Sequence, residues 1–506
     1  MTASTQDKRV TSFRDYVRKM VSYSQALSIL NWDMRTKAPR KGMDARSELI
    51  GVLSGEHFKL STSAELEEHL QALSEPATYA SLDPVTQAMV REVKKEYERS
   101  KKLPADRFQE FVVLTAQAGT VWEDARATND FALFRPYLEK IVQFTLEFID
   151  YWGHEGNKYD TLLDMYEPGM KSAQLDTIFA TLREKTVGLV AAIAQSPNKP
   201  DTSFLTKAFD EGEQEAFSRF ILEKIGYDFQ AGRLDRSVHP FCTSFAPGDV
   251  RITTRFDPND FRVALFGCIH EAGHAIYEQN IHPDLQGTPL CDGTSMGIHE
   301  SQSRFWENMV GRSKRFWTHF YPELLKRFPV QFAGVNVEQF YRAVNQVTPS
   351  LIRVEADELT YNLHIMIRYE IEKGLIDQTI EVGDLPAIWN SKMQEYLGIV
   401  PPNDKEGVLQ DVHWSGGSFG YFPTYSLGNV YAAQIAHTMQ QQIKDYDQLV
   451  ENGEFAPIRE WLKEKIHQHG KLKSPGELLQ DITGESTNAT YLMNYLENKY
   501  KEIYQL

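Results

Sequence analysis

The chain has 506 residues, 42% of them apolar and 25% charged, with a formal charge of −16. That length supports a sizeable core, and that acidity argues against phosphate-backbone binding as the main task, because such binding runs on clustered Lys and Arg. The three cysteines, Cys242, Cys268 and Cys291, form no Cys-x-x-Cys pair, the first residues carry no signal-type apolar stretch, and no run reaches 18 apolar residues; the expectation is a cytoplasmic protein with reduced thiols, no membrane span and no nucleic-acid partner.

From Val10 to about Asp150 the apolar residues recur at helical spacing. FRDYVRKMVSYSQALSILNWDM, STSAELEEHLQAL, PVTQAMVREVKKEYERSKKL and FALFRPYLEKIVQFTLEFIDYW read as helices, with Ser or Pro start signals on the second and third. MKSAQLDTIFATLREKTVGLVAAIAQ adds another before the break at SPNKPDTS. After Tyr227, HPFCTSF, APGD and VRITTRF read as a small hairpin around a Pro-Gly turn. Helices resume at Phe261 and continue nearly to Leu506. The expected architecture is one mostly α-helical body with a cleft and one small sheet. It forms a single domain over residues 1–506, with two lobes as the finer division: 1–230 as a helical groove wall, 231–506 carrying the metal site and catalytic elements.

The chemistry concentrates in FGCIHEAGHAIYEQN. Residues four apart share a helix face, so His270 and His274 can point two imidazoles at one metal, and Glu271 can reach a water beside it. Leu265, Cys268, Ile269, Ala272, Ala275 and Ile276 surround that pair with apolar surface, so the helix reads as buried. Gly273 in mid-helix costs up to about 1 kcal/mol relative to Ala, which a close-packed site or a close helix crossing explains. A catalytic zinc site needs a third protein ligand. GTSMGIHESQSRFWENMVG supplies Glu300, 26 residues after His274, on a helix that Thr294 or Ser295 caps. His299 is the rival, and because the two lie about 100° apart only one should face the ion. Arg304 and Glu307 continue the Glu300 face, and Arg304, or an upstream polar group, is placed to orient Glu300. Cys268 should point away, and Cys291 is a weak candidate.

Three further segments carry polar groups suited to a cleft. In DVRIT, Asp249, Arg251 and Thr253 alternate with Val250 and Ile252, as on a strand with one polar face. LIRVEADELTYNLHIMIRYEIEKGL reads as one long helix on which Arg353 and Asp357 pair at i,i+4. GVLQDVHWSGGSFGYFPTYSLGN places Gln410, Asp411, His413, Tyr421 and Tyr425 around a glycine-rich turn, where His and Tyr can donate to a developing oxyanion.

His239-Pro240-Phe241, DVRIT, HEAGH, HESQSRFWEN, IRVEAD, GVLQDVHW and GYFPTY stand in this order over residues 239–425, and NWDMRTKAPRKGMDARSELI precedes them. Together they resemble the thermostable carboxypeptidase Taq family of metallocarboxypeptidases. The resemblance implies a helical body with a deep groove of the neurolysin and angiotensin-converting-enzyme type. It implies a homodimer that removes single residues from the free C-termini of peptides with broad specificity. His270, His274 and Glu300 are then the ligands of a zinc ion, with cobalt also supporting activity, and Glu271 is the general base. Arg353 recognises the terminal carboxylate, with Arg251, His239, Asp249 and Gln410 as further substrate-binding residues. Tyr425 with His413, or Tyr421 close by, stabilises the tetrahedral intermediate. Two other readings use the same residues: a zinc endopeptidase or oligopeptidase, which needs no terminal-carboxylate anchor, and a non-catalytic peptide-binding protein that retains zinc.

Overall fold

The computed structural model describes residues 3–506, which form twenty-one α-helices, several short 3-10 turns, a π-helical segment and one three-stranded sheet. The expected helical body with one small sheet is what is found. The Ser and Pro start signals act as read: Ser63 accepts from the Leu66 N–H ahead of the helix Ala64–Ser74, and Pro84 opens the helix Pro84–Lys102, where Asp83, not singled out in the sequence, accepts from the Thr86 N–H. Among the described residues no helix is long and apolar enough to cross a membrane.

The expected hairpin consists of β2 (Cys242–Ala246) and β3 (Asp249–Thr254), antiparallel across the Pro247-Gly248 turn; β1 (Gly232–Arg236) adds a strand parallel to β3 on its other side, with Leu234 opposite Ile252. Val250 and Ile252 are fully buried, and the sheet packs on the helix Phe261–Gln279. The Thr253 side chain, buried on the other face, accepts from the Phe241 N–H at 3.0 Å and ties the His239-Pro240-Phe241 segment to the sheet.

One continuous apolar core runs from Leu114 to Tyr504 and encloses the helix Phe261–Gln279. A smaller core lies under the N-terminal helices, where Phe13, Val17, Leu66, Leu70, Met89 and Val93 meet Ile281, Leu285 and Leu290. The connector between the two helices that carry HEAGH and HES is therefore also the surface on which the N-terminal layer docks. The helix Met296–Arg304 starts at Ser295, whose hydroxyl accepts from the Ile298 N–H at 3.0 Å.

The region around Arg353 departs from the expectation. It is not one long helix: Arg353–Glu355 form a 3-10 turn and the helix begins at Tyr361. Asp357 does not pair with Arg353. Its carboxylate accepts backbone N–H groups of Thr348, Leu359 and Thr360, at 3.1, 3.0 and 2.9 Å, and pins the chain in a non-helical turn before the helix starts.

Glu167 anchors the HES helix from beneath. Its carboxylate accepts the Ser295 hydroxyl, the Tyr431 hydroxyl and the Gly297 N–H at 2.9–3.1 Å. With no cation beside it, burial outweighs these three donors and pushes the group up to about 7. A raised carboxyl pKa contributes stability that is full below the unfolded value near 4.5 and is lost as pH climbs through about 7. The melting-temperature advantage of wild type over Glu167→Gln should therefore shrink between pH 5 and pH 8; thermal scans of both proteins across that range check it, and a constant difference contradicts it.

Candidate metal centre and active-site cleft

The helix Phe261–Gln279 is buried along most of its length, including Cys268, which points away from the histidine face. Its His270 and His274 converge with Glu300, all three offering ligand atoms within 4.8 Å of one another. Glu300 Oε2 lies 3.6 Å from His270 Nε2 and 3.4 Å from His274 Nε2. Ligand atoms about 2.0–2.1 Å from a tetrahedral zinc stand about 3.4 Å apart, so this donor set fits such an ion. Each imidazole has its other nitrogen occupied: His270 Nδ1 by Glu307 at 2.9 Å and His274 Nδ1 by His299 at 2.6 Å. His299 thus faces the back of His274, and the rivalry with Glu300 resolves into two separate positions. Cys291 is not part of the converging group.

The glycines explain the closeness. A Cβ at Gly273 would lie 2.5 Å from the Gln302 carbonyl oxygen and from Ser303 Cα, so the motif helix crosses the HES helix backbone to backbone. Both reasons foreseen for Gly273, a tight site and a tight crossing, are one reason. On the other side, a Cβ at Gly428 would overlap the Glu300 side chain, 2.6 Å from its Cβ.

Electrostatics hold the carboxylates ionised. Arg304 Nε donates to Glu300 Oε1 at 2.7 Å, and its NH1 to Glu307 Oε2 at 3.1 Å; Arg312 adds a contact to Glu307 at 3.2 Å. Burial alone would raise Glu300, but Arg304 and the two histidines overcome it and hold the group far below the ordinary range; Arg304 does the same for Glu307. Glu307 sits in the π-helical segment Phe305–Val310, which continues the HES helix. Glu271 differs from both. It lines the cleft with no hydrogen-bond partner among the described residues, and burial, opposed by His270 and aided by Glu300 and Glu307, pushes it up to about 7.

The converging His270, His274 and Glu300 open into a cleft of about 840 Å³ lined by Glu271, Tyr166, Phe241, Phe245, Tyr421 and Tyr425 among others. Tyr421 and Tyr425 stand beside Glu300, their rings 5.1 Å apart. His413 is behind them: its Nε2 is 3.4 Å from the Tyr425 hydroxyl, its ring lies against Tyr421, and it does not line the cleft. Burial pushes it down to about 4 despite Asp411, with Arg353 and Arg368 adding to the drop, so it is neutral near pH 7.

The other candidate residues lie further out. Arg353 gives Nε and NH2 to Asp411 at 3.0 and 2.8 Å and NH1 to the Tyr361 hydroxyl at 3.3 Å, with its guanidinium 5.1 Å from the Tyr425 ring. Arg368 holds the other Asp411 oxygen at 2.6 Å. Gln410 is turned to the protein, accepting from Arg353 N and Arg368 NH2 and donating to carbonyls of Leu351, Glu406 and Gly407, so its amide is not presented to a ligand. Asp249 and Arg251 form a local ion pair at 2.7 Å, and the Arg251 guanidinium lies between Trp32 and Phe245, outside the cleft lining. His239 is exposed, while its neighbours Pro240 and Phe241 line the cleft. Glu278 continues the His270–His274 face at i+4, a local signal in the sequence that marks it as part of the site. For the Arg353–Asp411 pair no local spacing gives a signal.

The family description "Carboxypeptidase Taq (M32) metallopeptidase" matches residues 12–500. Carboxypeptidase 1 of Bacillus subtilis is 51% identical over 494 residues, covering 98% of each chain. Thermostable carboxypeptidase 1 of Thermus thermophilus is 40% identical over 501 residues, 97% of this chain and 98% of that one. The crystal structure of the M32 carboxypeptidase from Deinococcus radiodurans superposes with a TM-score of 0.96 at 36% identity, covering 99% of this chain and 100% of that one.

Because no side chain fits between Gly428 and Glu300, Gly428→Ala should displace the carboxylate and lower metal affinity roughly tenfold or more. Metal content after dialysis against a graded chelator checks this; unchanged retention contradicts it.

Proposed function

The chain belongs to the carboxypeptidase Taq (M32) family and is a metallocarboxypeptidase, and we propose that His270, His274 and Glu300 bind its metal, that this metal is zinc, and that Glu271 is the general base. The observation that carries this reading is the convergence of two imidazoles and one arginine-held carboxylate beside a carboxylate that has no protein partner. Two nitrogens and one carboxylate oxygen in a compact buried set suit zinc. The bound ion supplies Lewis acidity toward water and the scissile carbonyl.

The chain's own residues do the rest. Glu271 accepts the proton of the attacking water and passes it to the leaving amine. Tyr425, with Tyr421 alongside, donates to the developing oxyanion, and His413 holds the Tyr425 hydroxyl from behind. Arg353 keeps one N–H on each terminal nitrogen after serving Asp411 and Tyr361, and these serve the substrate's terminal carboxylate. Gln410 acts by holding Arg353 in place, whereas Asp249, Arg251 and His239 shape the rim through Phe245 and Phe241.

We read the protein as a cytoplasmic homodimer acting on peptides with a free C-terminus. The cytoplasm suits its three free cysteines. For the dimer, the helix Met43–Ser61 has no buried residue and exposes Leu49 and Val52, and Phe58 stacks on Phe108 of the helix Ala105–Thr128, which exposes Val112 and Val113. An apolar strip of that kind suits a partner surface. Sedimentation at micromolar concentration should give twice the chain mass; a monomer contradicts the dimer.

Two peptides identical except for a free or amidated C-terminus test the activity. Mass spectrometry should show a one-residue ladder from the free form alone; internal cuts in both forms would move the reading to an endopeptidase. Glu271→Gln should retain its metal and lose roughly 10²–10⁴-fold in turnover, and full turnover in the loaded variant would end the general-base assignment. Arg353→Met should raise KM for free-carboxylate peptides about ten- to a hundredfold, the worth of a charged hydrogen bond; a fall in kcat at unchanged KM would mean that Arg353 is structural or acts on the transition state generally, and would contradict the carboxylate clamp.

A further inference from the structure

His274 Nδ1 and His299 Nδ1 stand 2.6 Å apart, a separation bridged by a single proton. On the ligand set proposed above, His274 presents Nε2 to the ion, so its Nδ1 carries the proton and donates. His299 Nδ1 is then the acceptor. That places the His299 proton on Nε2, which lies 2.9 Å from Glu278 Oε1. The same carboxylate oxygen accepts the Gly293 N–H at 3.2 Å. The protons therefore all point one way, from ligand to second imidazole to carboxylate. His270 has a shorter equivalent in its direct bond to Glu307.

Glu278, Asp292 and His299 also offer ligand atoms within 4.8 Å of one another, as a second cation site would. Two facts oppose that use. Lys471 Nζ already sits 2.6 Å from Asp292 Oδ2. A cation on His299 Nε2 would force the shared proton onto His299 Nδ1, leaving His274 Nδ1 as acceptor and its Nε2 protonated and unable to bind an ion.

We propose that His299, backed by Glu278, is a positioning residue that fixes the tautomer and ring plane of His274, so that metal affinity depends on both although neither touches the ion. The inference rests on His274 being a ligand. The His299 ring is fitted into a slot: its centroid is 5.2 Å from the Tyr277 ring, and a Cβ at Gly293 would lie 2.5 Å from its Cδ2. Glu278 comes from the same helix face as the two histidines, one turn beyond His274, so the motif helix supplies both a ligand and the group that ultimately anchors it.

The test is titration of the metal-free protein with Co²⁺ against a chelator, together with the visible absorption spectrum of the cobalt form. His299→Leu should bind roughly 10–100-fold more weakly with an altered spectrum. His299→Gln should stay within a few-fold of wild type, because an amide can accept from His274 through its oxygen and donate to Glu278 through its nitrogen. Gly293→Ala removes no polar group but fills the slot, and should behave like His299→Leu. Wild-type affinity and spectrum in His299→Leu, or equal losses in the Leu and Gln variants, would overturn the proposal. His274→Ala separates the two levels: it should abolish tight binding, and if it does not, the ligand set fails rather than the positioning role alone.

Discussion

Arg304 lies between two buried carboxylates and joins them. Its Nε meets Glu300 and its NH1 meets Glu307, while its guanidinium rests 4.4 Å from the centre of the Tyr361 ring. Without a cation, two acids in a dry interior would take up protons, and neither could then serve as a clean acceptor. With it, Glu307 accepts from His270 Nδ1, and Glu300 keeps Oε2 turned toward both histidine Nε2 atoms. The price of burying these charges is offset only because each is paired and hydrogen-bonded. The close helix crossing at Gly273 and the bare face of Gly428 bring the paired groups near enough for this to work.

A second buried charged cluster lies behind the cleft wall. Asp411 takes one arginine on each oxygen, Arg353 and Arg368, and Gln410 ties the backbone of the first to the side chain of the second. The Tyr421–Tyr425 pair and His413 stand between this cluster and the His270–His274–Glu300 group. A ligand in the cleft therefore meets tyrosine hydroxyls first, with arginine charge behind them. In a chain of net charge −16, two arginines on one carboxylate leave a local excess of positive charge behind the tyrosines, which suits the proposed hold on a substrate's terminal carboxylate.

Much of this was legible in the sequence where the signal was local. Helical spacing placed His270, His274 and Glu271 on one buried helix, the Pro-Gly turn gave the β2–β3 hairpin, and Ser295 was one of two named caps. The angle between consecutive helix positions showed that His299 and Glu300 must diverge, but not where each points; that depends on the crossing at Gly273, which brings His299 to the far nitrogen of His274. Pairings across long stretches of chain were not legible. Asp411 is 58 residues from Arg353, and an i,i+4 rule offered Asp357 instead, which the backbone N–H groups of Thr348, Leu359 and Thr360 had already claimed. The short, charged β1 was passed over, because only its pairing with β3 makes it a strand.

The most direct test of the metal centre is crystallographic: a zinc-loaded crystal measured on both sides of the zinc absorption edge. One strong anomalous peak is expected, bounded by His270 Nε2, His274 Nε2 and Glu300 Oε2, with His299 and Glu307 outside bonding distance. A peak centred instead on Glu278, Asp292 and His299, or one lacking Glu300, would contradict that ligand set.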